Sequence, residues 1–141
     1  MIIEIKTIPQ HQMRDPNGIG DYWWSADGAL YITVAEMADE RYEQLVALHE
    51  LIEAILCQAR GISETKIMKF DLENPDLDDP GMDPRAPYVC EHQTATGFEL
   101  LMADQLGVIW MEYDEAVKDA IARGKAARSV TPQEDAEQDL G

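Results

Sequence analysis

Residues 39–61 read DERYEQLVALHELIEAILCQARG, and this stretch decides the fold. Its apolar residues recur at steps of three and four, which is the spacing of one face of an α-helix. Asp39 is a preferred N-cap residue, and Gly61 is the residue type that most often follows the end of a helix. The stretch predicts a helix from Asp39 to about Arg60. Its apolar face consists of Leu45, Leu48, Ile52, Ile55, Leu56 and Ala59.

The residues before this helix predict a small sheet. Residues 1–8 alternate polar and apolar side chains and end at Pro9. Residues 22–34 contain two runs of aromatic and β-branched residues on either side of Asp27-Gly28. An Asp-Gly pair between two such runs is typical of a tight hairpin turn. We therefore expect three strands in an antiparallel sheet.

The residues after Gly61 predict shorter elements joined by a long loop. A short helix or a turn is expected from Ser63 to Phe70. Residues 71–88 contain four prolines and six acidic residues and are expected to form a loop, and a loop of this length is often functional. Two more helices are predicted, from Glu91 to Leu106 and from about Glu112 to Arg123, because a glycine follows each of them.

The length of 141 residues is enough for one domain. The chain has 28 acidic residues against 11 lysines and arginines, a net charge of −17. Much of this excess lies in residues 71–84 and 129–141, neither of which contains a basic residue. We expect one α+β domain over residues 1–124, in which the small sheet packs on two or three helices. Residues 125–141 are expected to form a disordered acidic tail.

The composition also limits the partners and the location. A chain with this charge is repelled by nucleic-acid phosphates and by anionic membranes. No apolar run reaches the roughly 18–20 residues of a membrane span, and residues 1–6 carry no signal-peptide pattern. We expect a cytoplasmic protein that binds neither nucleic acid through a basic surface nor a membrane. The sequence predicts no oligomeric state.

His49 and Glu53 have a spacing that suits metal binding. Side chains four residues apart lie on the same side of a helix, with Cβ atoms about 5–6 Å apart, so the two could hold one ion. His92, in the second predicted helix, could supply a third ligand. Two nitrogens and one carboxylate oxygen suit zinc and leave a fourth position for water. Glu50 could then accept a proton from that water.

These residues also have structural interpretations. His49 could be half-buried and hydrogen-bonded to Glu53, and Glu91-His92 could be an acidic first turn of a helix. Glu99 is expected to be solvated or ion-paired. The cost of burying a histidine and two acids without partners favours the metal interpretation.

Cys57 and Cys90 are too few for a disulfide scaffold at this length. Each could be a soft metal ligand. The favoured interpretation is a buried small apolar residue for Cys57 and a loop thiol for Cys90.

The segment His49-Glu50-Leu51-Ile52-Glu53 resembles the His-Glu-x-x-His helix of the zincin metallopeptidases. The resemblance implies that His49 is a zinc ligand and that Glu50 is the catalytic base. Glu53 stands where the family has its second histidine. His92 would replace the glutamate that is common as the third ligand.

The resemblance also implies a zincin-like order of elements, in which a small sheet precedes the active-site helix and a ligand-bearing helix follows. The stretch 29–35 would then be the edge strand that receives an extended peptide. The whole chain is similar to short proteins encoded by bacteriophages and prophages.

Together these features predict a zinc-binding, zincin-like domain of phage or prophage origin that acts as a metal-dependent peptidase or hydrolase on a peptide or protein. Two alternatives stay open. One is a non-enzymatic acidic module that binds a basic surface of a host protein, which the charge of −17 supports. The other is a magnesium-dependent nucleotide pyrophosphohydrolase, which the pair Glu50 and Glu53 supports. The second predicted helix has no matching pair, and that class is all-helical.

Overall fold

The computed structural model describes residues 1–138, with side chains as far as residue 130. Over this range the chain is α+β, as predicted. The described residues form three strands and four α-helices: β1 (Ile3–Ile8), β2 (Gly20–Trp24), β3 (Leu30–Ala35), α1 (Glu40–Ala59), α2 (Glu64–Glu73), α3 (Val89–Gln105) and α4 (Trp110–Gln138). Single turns of 3-10 helix lie at Gln10–Gln12 and Pro80–Met82.

The sheet is mixed, so the prediction of an antiparallel sheet is wrong. The strand order is β1-β3-β2, and β3 pairs antiparallel with β2 and parallel with β1. The predicted hairpin joins β2 to β3. Consecutive strands are most often neighbours, but here residues 9–19 carry the chain to the far edge of the sheet. β3 then lies between the other two strands and runs parallel to β1.

α1 covers one face of the sheet over β2 and β3 and also packs against α3. The helix begins after Asp39, whose side chain accepts a hydrogen bond from the Arg41 N–H. It ends before Gly61, which has a φ of 70° that favours glycine. These bounds agree with the prediction.

The buried face of α1 is turned slightly from the predicted apolar face. It contains Leu45, Val46, His49, Glu53, Ala54 and Cys57. Ile55, which was expected to be part of the apolar face, is 46% exposed. The face that packs inward is therefore centred on His49 and Glu53.

α2 begins after its N-cap residue Ser63 and continues to Glu73, so it includes the first residues of the predicted loop. α3 ends before Gly107, where the prediction placed its end. None of the helices formed by residues 1–138 combines the length and the hydrophobicity that a membrane span needs.

α4 continues through Gly124, where the sequence predicts its end. Gly124 is needed there for close packing, because an added Cβ would lie 1.5 Å from Gln10 Oε1. The Gln10 amide donates to the carbonyls of Pro16 and Gly18, which fixes the side chain in place. Arg128 donates to the carbonyls of Gln10 and Met13 at 3.0 and 2.7 Å.

Residues 125–138 of the predicted tail are thus part of α4. Residues 139–141 lie outside the described residues. The division into a domain over 1–124 and a tail stays a prediction.

We expect Gly124→Ala to destabilise the protein even though alanine favours a helix by about 1 kcal/mol. Its Cβ would displace the Gln10 side chain and break two hydrogen bonds worth about 1 kcal/mol each. Gly97→Ala in α3 is the matched control, because a Cβ there meets no atom within 4 Å. Thermal unfolding should show a lower Tm for Gly124→Ala and a higher Tm for Gly97→Ala. An increase for both variants would mean that Gln10 does not hold this contact.

Candidate metal centre

Three side chains predicted from the sequence meet between α1 and α3. His49 Nε2 lies 3.2 Å from Glu53 Oε2 and 3.2 Å from His92 Nδ1. His92 Nδ1 lies 2.8 Å from the same oxygen of Glu53. Bonds of about 2.0–2.1 Å in a tetrahedral site separate two ligand atoms by about 3.3 Å. The three atoms therefore have a spacing that fits zinc.

The other ring nitrogen of each histidine contacts a carboxylate. His49 Nδ1 lies 2.9 Å from Glu99 Oε1, and His92 Nε2 lies 3.0 Å from Asp79 Oδ1. A histidine that donates to a carboxylate through one nitrogen presents a lone pair on the other. These contacts direct the lone pairs of His49 Nε2 and His92 Nδ1 toward each other. A cation between them, either a proton or a metal ion, satisfies both.

A buried chain of contacts holds Glu99 in position. The Tyr113 hydroxyl, on α4, donates to Glu99 Oε2 at 2.5 Å. Glu99 is 7% exposed and Tyr113 is 4% exposed. The expectation that Glu99 is ion-paired holds, but the residue is buried and its partner is the histidine of α1. In the sequence, the signal for Glu99 was its position seven residues after His92, on the same helix face.

The acidic loop, residues 74–88, contributes Asp79 to this arrangement. Asp79 is the N-cap residue of the turn Pro80–Met82, and the next glycine lies directly against a candidate ligand. A Cβ on Gly81 would lie 2.4 Å from His92 Cγ. The backbone of the loop therefore packs on the imidazole while Asp79 holds its Nε2. Nothing in the sequence distinguished Asp79 from the other acids of the loop.

Glu50 lies on the side of α1 that faces β2. Its Oε1 would be 2.7 Å from a Cβ on Gly20, so the carboxylate lies directly against the backbone of the strand. No residue in the described part of the chain forms a hydrogen bond or an ion pair with it. Burial and the negative charge of Glu53 raise its pKa to about 8. A carboxylate in this state can accept and return a proton near neutral pH.

The neighbouring carboxylates keep protons on the histidines when no metal is bound. Burial disfavours the positive charge on His49, but hydrogen bonds with Glu53 and Glu99 outweigh this effect and raise its pKa to about 11. Burial also opposes the charge on His92, and its contacts with Asp79 and Glu53 raise its pKa to about 9. A metal ion has to displace these protons.

A cavity of about 620 Å³ adjoins the cluster. This volume is in the range of small-molecule binding sites. Ten of its lining residues are acidic, including Glu50, Asp71 and Asp79, whereas Arg14, Lys118 and Lys125 are its basic lining residues other than histidine. The wall is therefore strongly acidic.

Neither cysteine belongs to the cluster. Within the described residues, His49, Glu53 and His92 are the group whose ligand atoms converge within 4.8 Å. Cys57 is buried beside Ala86 and Tyr88, and burial raises the pKa of its thiol to about 11. Cys90 is exposed in the first turn of α3 rather than in a loop.

The stretch 29–35 is not an edge strand, so the predicted peptide-binding position is wrong. It contains β3, which is hydrogen-bonded to β1 on one side and to β2 on the other. The edge nearest the cluster belongs to β2. That edge is partly occupied, because the Trp24 N–H donates to Glu64 and the Tyr22 carbonyl accepts from Arg14.

No family model, curated protein or solved structure matches this chain. The functional assignment therefore rests on the geometry and the chemistry of the side chains described above. The zincin resemblance stays a prediction.

We expect zinc to stabilise the protein more strongly as the pH rises from 6 to 8. The usual histidine pKa of 6.5 is raised in the fold. The protonated histidines therefore add stability that is complete below pH 6.5 and is lost as the pH rises through about 9 and 11. As the pH rises from 6 to 8, zinc also competes with fewer protons for the two histidines. The difference in Tm between zinc-loaded and chelator-treated protein measures this effect, and a constant difference would contradict it.

Proposed function

We propose that this chain is a zinc-dependent hydrolase in which His49, Glu53 and His92 hold the metal and Glu50 is the general base. The observation that carries the proposal is the convergence of two imidazole nitrogens and one carboxylate oxygen at 2.8–3.2 Å. Carboxylates on the far side of both rings support it, because they are the usual orienting partners of histidine ligands.

His49, Glu53 and His92 would hold a zinc ion that would act as a Lewis acid, polarise the carbonyl and lower the pKa of water. Glu50 takes one proton of the attacking water as the water oxygen bonds to the carbonyl carbon. It returns this proton to the leaving nitrogen as the carbon–nitrogen bond of an amide breaks. Its carboxylate suits this exchange because no described hydrogen bond holds it in one protonation state.

The acidic wall of the cavity supports a peptide substrate that is neutral or cationic near the cleaved bond. Carboxylates at this density repel phosphates and acidic peptides. A lysine or arginine side chain would find several partners there, such as Asp71 and Asp78. The substrate class proposed here is therefore a basic peptide or protein segment.

The geometry favours this function over a magnesium-dependent nucleotide pyrophosphohydrolase. Magnesium prefers an octahedral shell of oxygen ligands, and two of the three converging atoms are nitrogens. The acidic cavity also opposes a nucleotide. The non-enzymatic acidic module stays an alternative that the experiments below test.

Zinc binding is the first test. Wild-type protein purified without a histidine tag should contain about one zinc per chain, the number expected for one three-ligand site. His49→Ala should lose the metal and lower the Tm, because bound metal stabilises the fold by linkage. His11→Ala changes the histidine outside the cluster and should retain the metal. Equal zinc in His49→Ala and in the wild type, or no binding to the wild type even with added zinc, would refute the metal site.

Glu50→Gln tests the catalytic role separately. It should retain zinc and lose hydrolysis of lysine-rich test peptides by at least about a hundredfold, the usual minimum contribution of a general base. Glu73→Gln, on the exposed end of α2, is the matched control and should change neither property. Loss of zinc from Glu50→Gln would assign Glu50 to metal binding. A zinc-loaded wild type that hydrolyses no peptide would favour the interaction module.

A further inference from the structure

The outer edge of β1 carries backbone groups that are free to bind a partner strand. β1 is an outer strand of the sheet, and its inner edge pairs with β3. The Leu30 N–H donates to the Ile2 carbonyl, and the Glu36 N–H donates to the Ile8 carbonyl. In such a parallel ladder, alternate residues direct both backbone groups to the neighbouring strand.

Ile3, Ile5 and Thr7 therefore direct their N–H and C=O groups outward. No residue in the described part of the chain bonds to them. This row of unpaired donors and acceptors is a template for another strand.

Most side chains of β1 are also exposed, although Ile3 packs partly against the core. α1 packs mainly over β2 and β3. Ile5 pairs with Ile32 and lies on the same face of the sheet, yet Ile5 is 47% exposed whereas Ile32 is 1% exposed. Ile2, directly before the strand, is 64% exposed. The strand has no proline or bulge that would protect this edge, and its charges, Glu4 and Lys6, cancel.

We propose that a second copy of this chain pairs its β1 antiparallel to this one, across a two-fold axis at Ile5, to form a continuous six-stranded sheet. In this register Ile5 lies opposite Ile5 of the other copy, and Ile3 lies opposite Thr7. The outward groups of Ile3, Ile5 and Thr7 are then all hydrogen-bonded, because residues of the same parity form the bonded pairs of an antiparallel ladder.

Charge complementarity favours a second copy as the occupant. The two-fold axis places Glu4 of each chain opposite Lys6 of the other, so two cross-strand ion pairs form on the sheet face away from α1. On the other face the two exposed Ile5 side chains cover each other. The rest of the chain, with its net charge of −17, repels another copy, whereas residues 1–8 are a neutral and self-complementary segment.

The pairing surface is separate from the proposed metal centre. β3 lies between β1 and β2, and no residue of β1 lines the cavity beside His49. The variants below should therefore leave zinc content unchanged. Failure of the dimer proposal would not affect the zinc proposal, and the reverse is also true.

Analytical ultracentrifugation of the full chain at 0.15 M salt or more tests the pairing, because a Debye length of about 8 Å screens most of the net repulsion. Wild-type protein should show a reversible monomer–dimer equilibrium that depends on concentration. Thr7→Pro removes an outward N–H that the sheet itself does not use. It should weaken the dimer by at least about tenfold, since two hydrogen bonds are lost per dimer. Thermal unfolding at low concentration checks that the variant is folded.

Charge reversal on the exposed face tests the register. Glu4→Lys places like charges opposite each other and should weaken the dimer, even though it makes the net charge of each copy less negative. The double variant Glu4→Lys with Lys6→Glu has the wild-type composition and net charge, and it should restore the dimer. A wild type that stays monomeric at all concentrations would overturn the proposal. A dimer that Thr7→Pro and Glu4→Lys leave unchanged would place the contact elsewhere and would overturn it as well.

Discussion

The packing of α1 against α3 brings two imidazole nitrogens to 3.2 Å from each other, and the rest of the site depends on this contact. Two bare lone pairs at this distance repel each other, so the nitrogens carry protons that Glu53 accepts unless a metal ion takes the place of these protons. Three carboxylates surround the two rings and stabilise whichever cation is present: Glu53, Glu99 and Asp79. The two helices therefore pack through a charged cluster as well as through apolar side chains of the core.

Three other parts of the chain contribute to this cluster. α4 supplies the hydroxyl that fixes Glu99, and the acidic loop supplies Asp79 together with the glycine that packs on His92. β2 supplies the backbone against which Glu50 lies. The three-stranded sheet is too small to enclose a site by itself, and it serves as the platform on which α1 is held. The functional residues lie mainly on helices, whose side chains the core keeps in position.

The sequence could predict those parts of the fold that depend on local interactions. Asp39 and Gly61 define α1 because capping and positive φ are properties of one or two residues. The spacing of His49 and Glu53 follows from helix geometry alone. The strand order could not be predicted, because it depends on the path that residues 9–19 take across the sheet. Gly124 shows the same limit, because the sequence does not distinguish a glycine that ends a helix from one that leaves space for the Gln10 side chain.

For the candidate site as well, the sequence could predict only the part that depends on local spacing. Its candidate ligands His49 and Glu53 lie four residues apart on one helix, whereas Asp79 and Tyr113 are brought to the site by long-range packing. The charge balance of the site has a physical consequence for folding. A cluster of buried carboxylates is stable only when cations balance it, and the chain supplies those cations as protons on His49 and His92. The proposed zinc ion would replace protons that already stabilise the fold, so its binding would add only the difference in stability between two charge-balanced states. The metal-free chain can therefore keep the arrangement that the proposed metal ion would require.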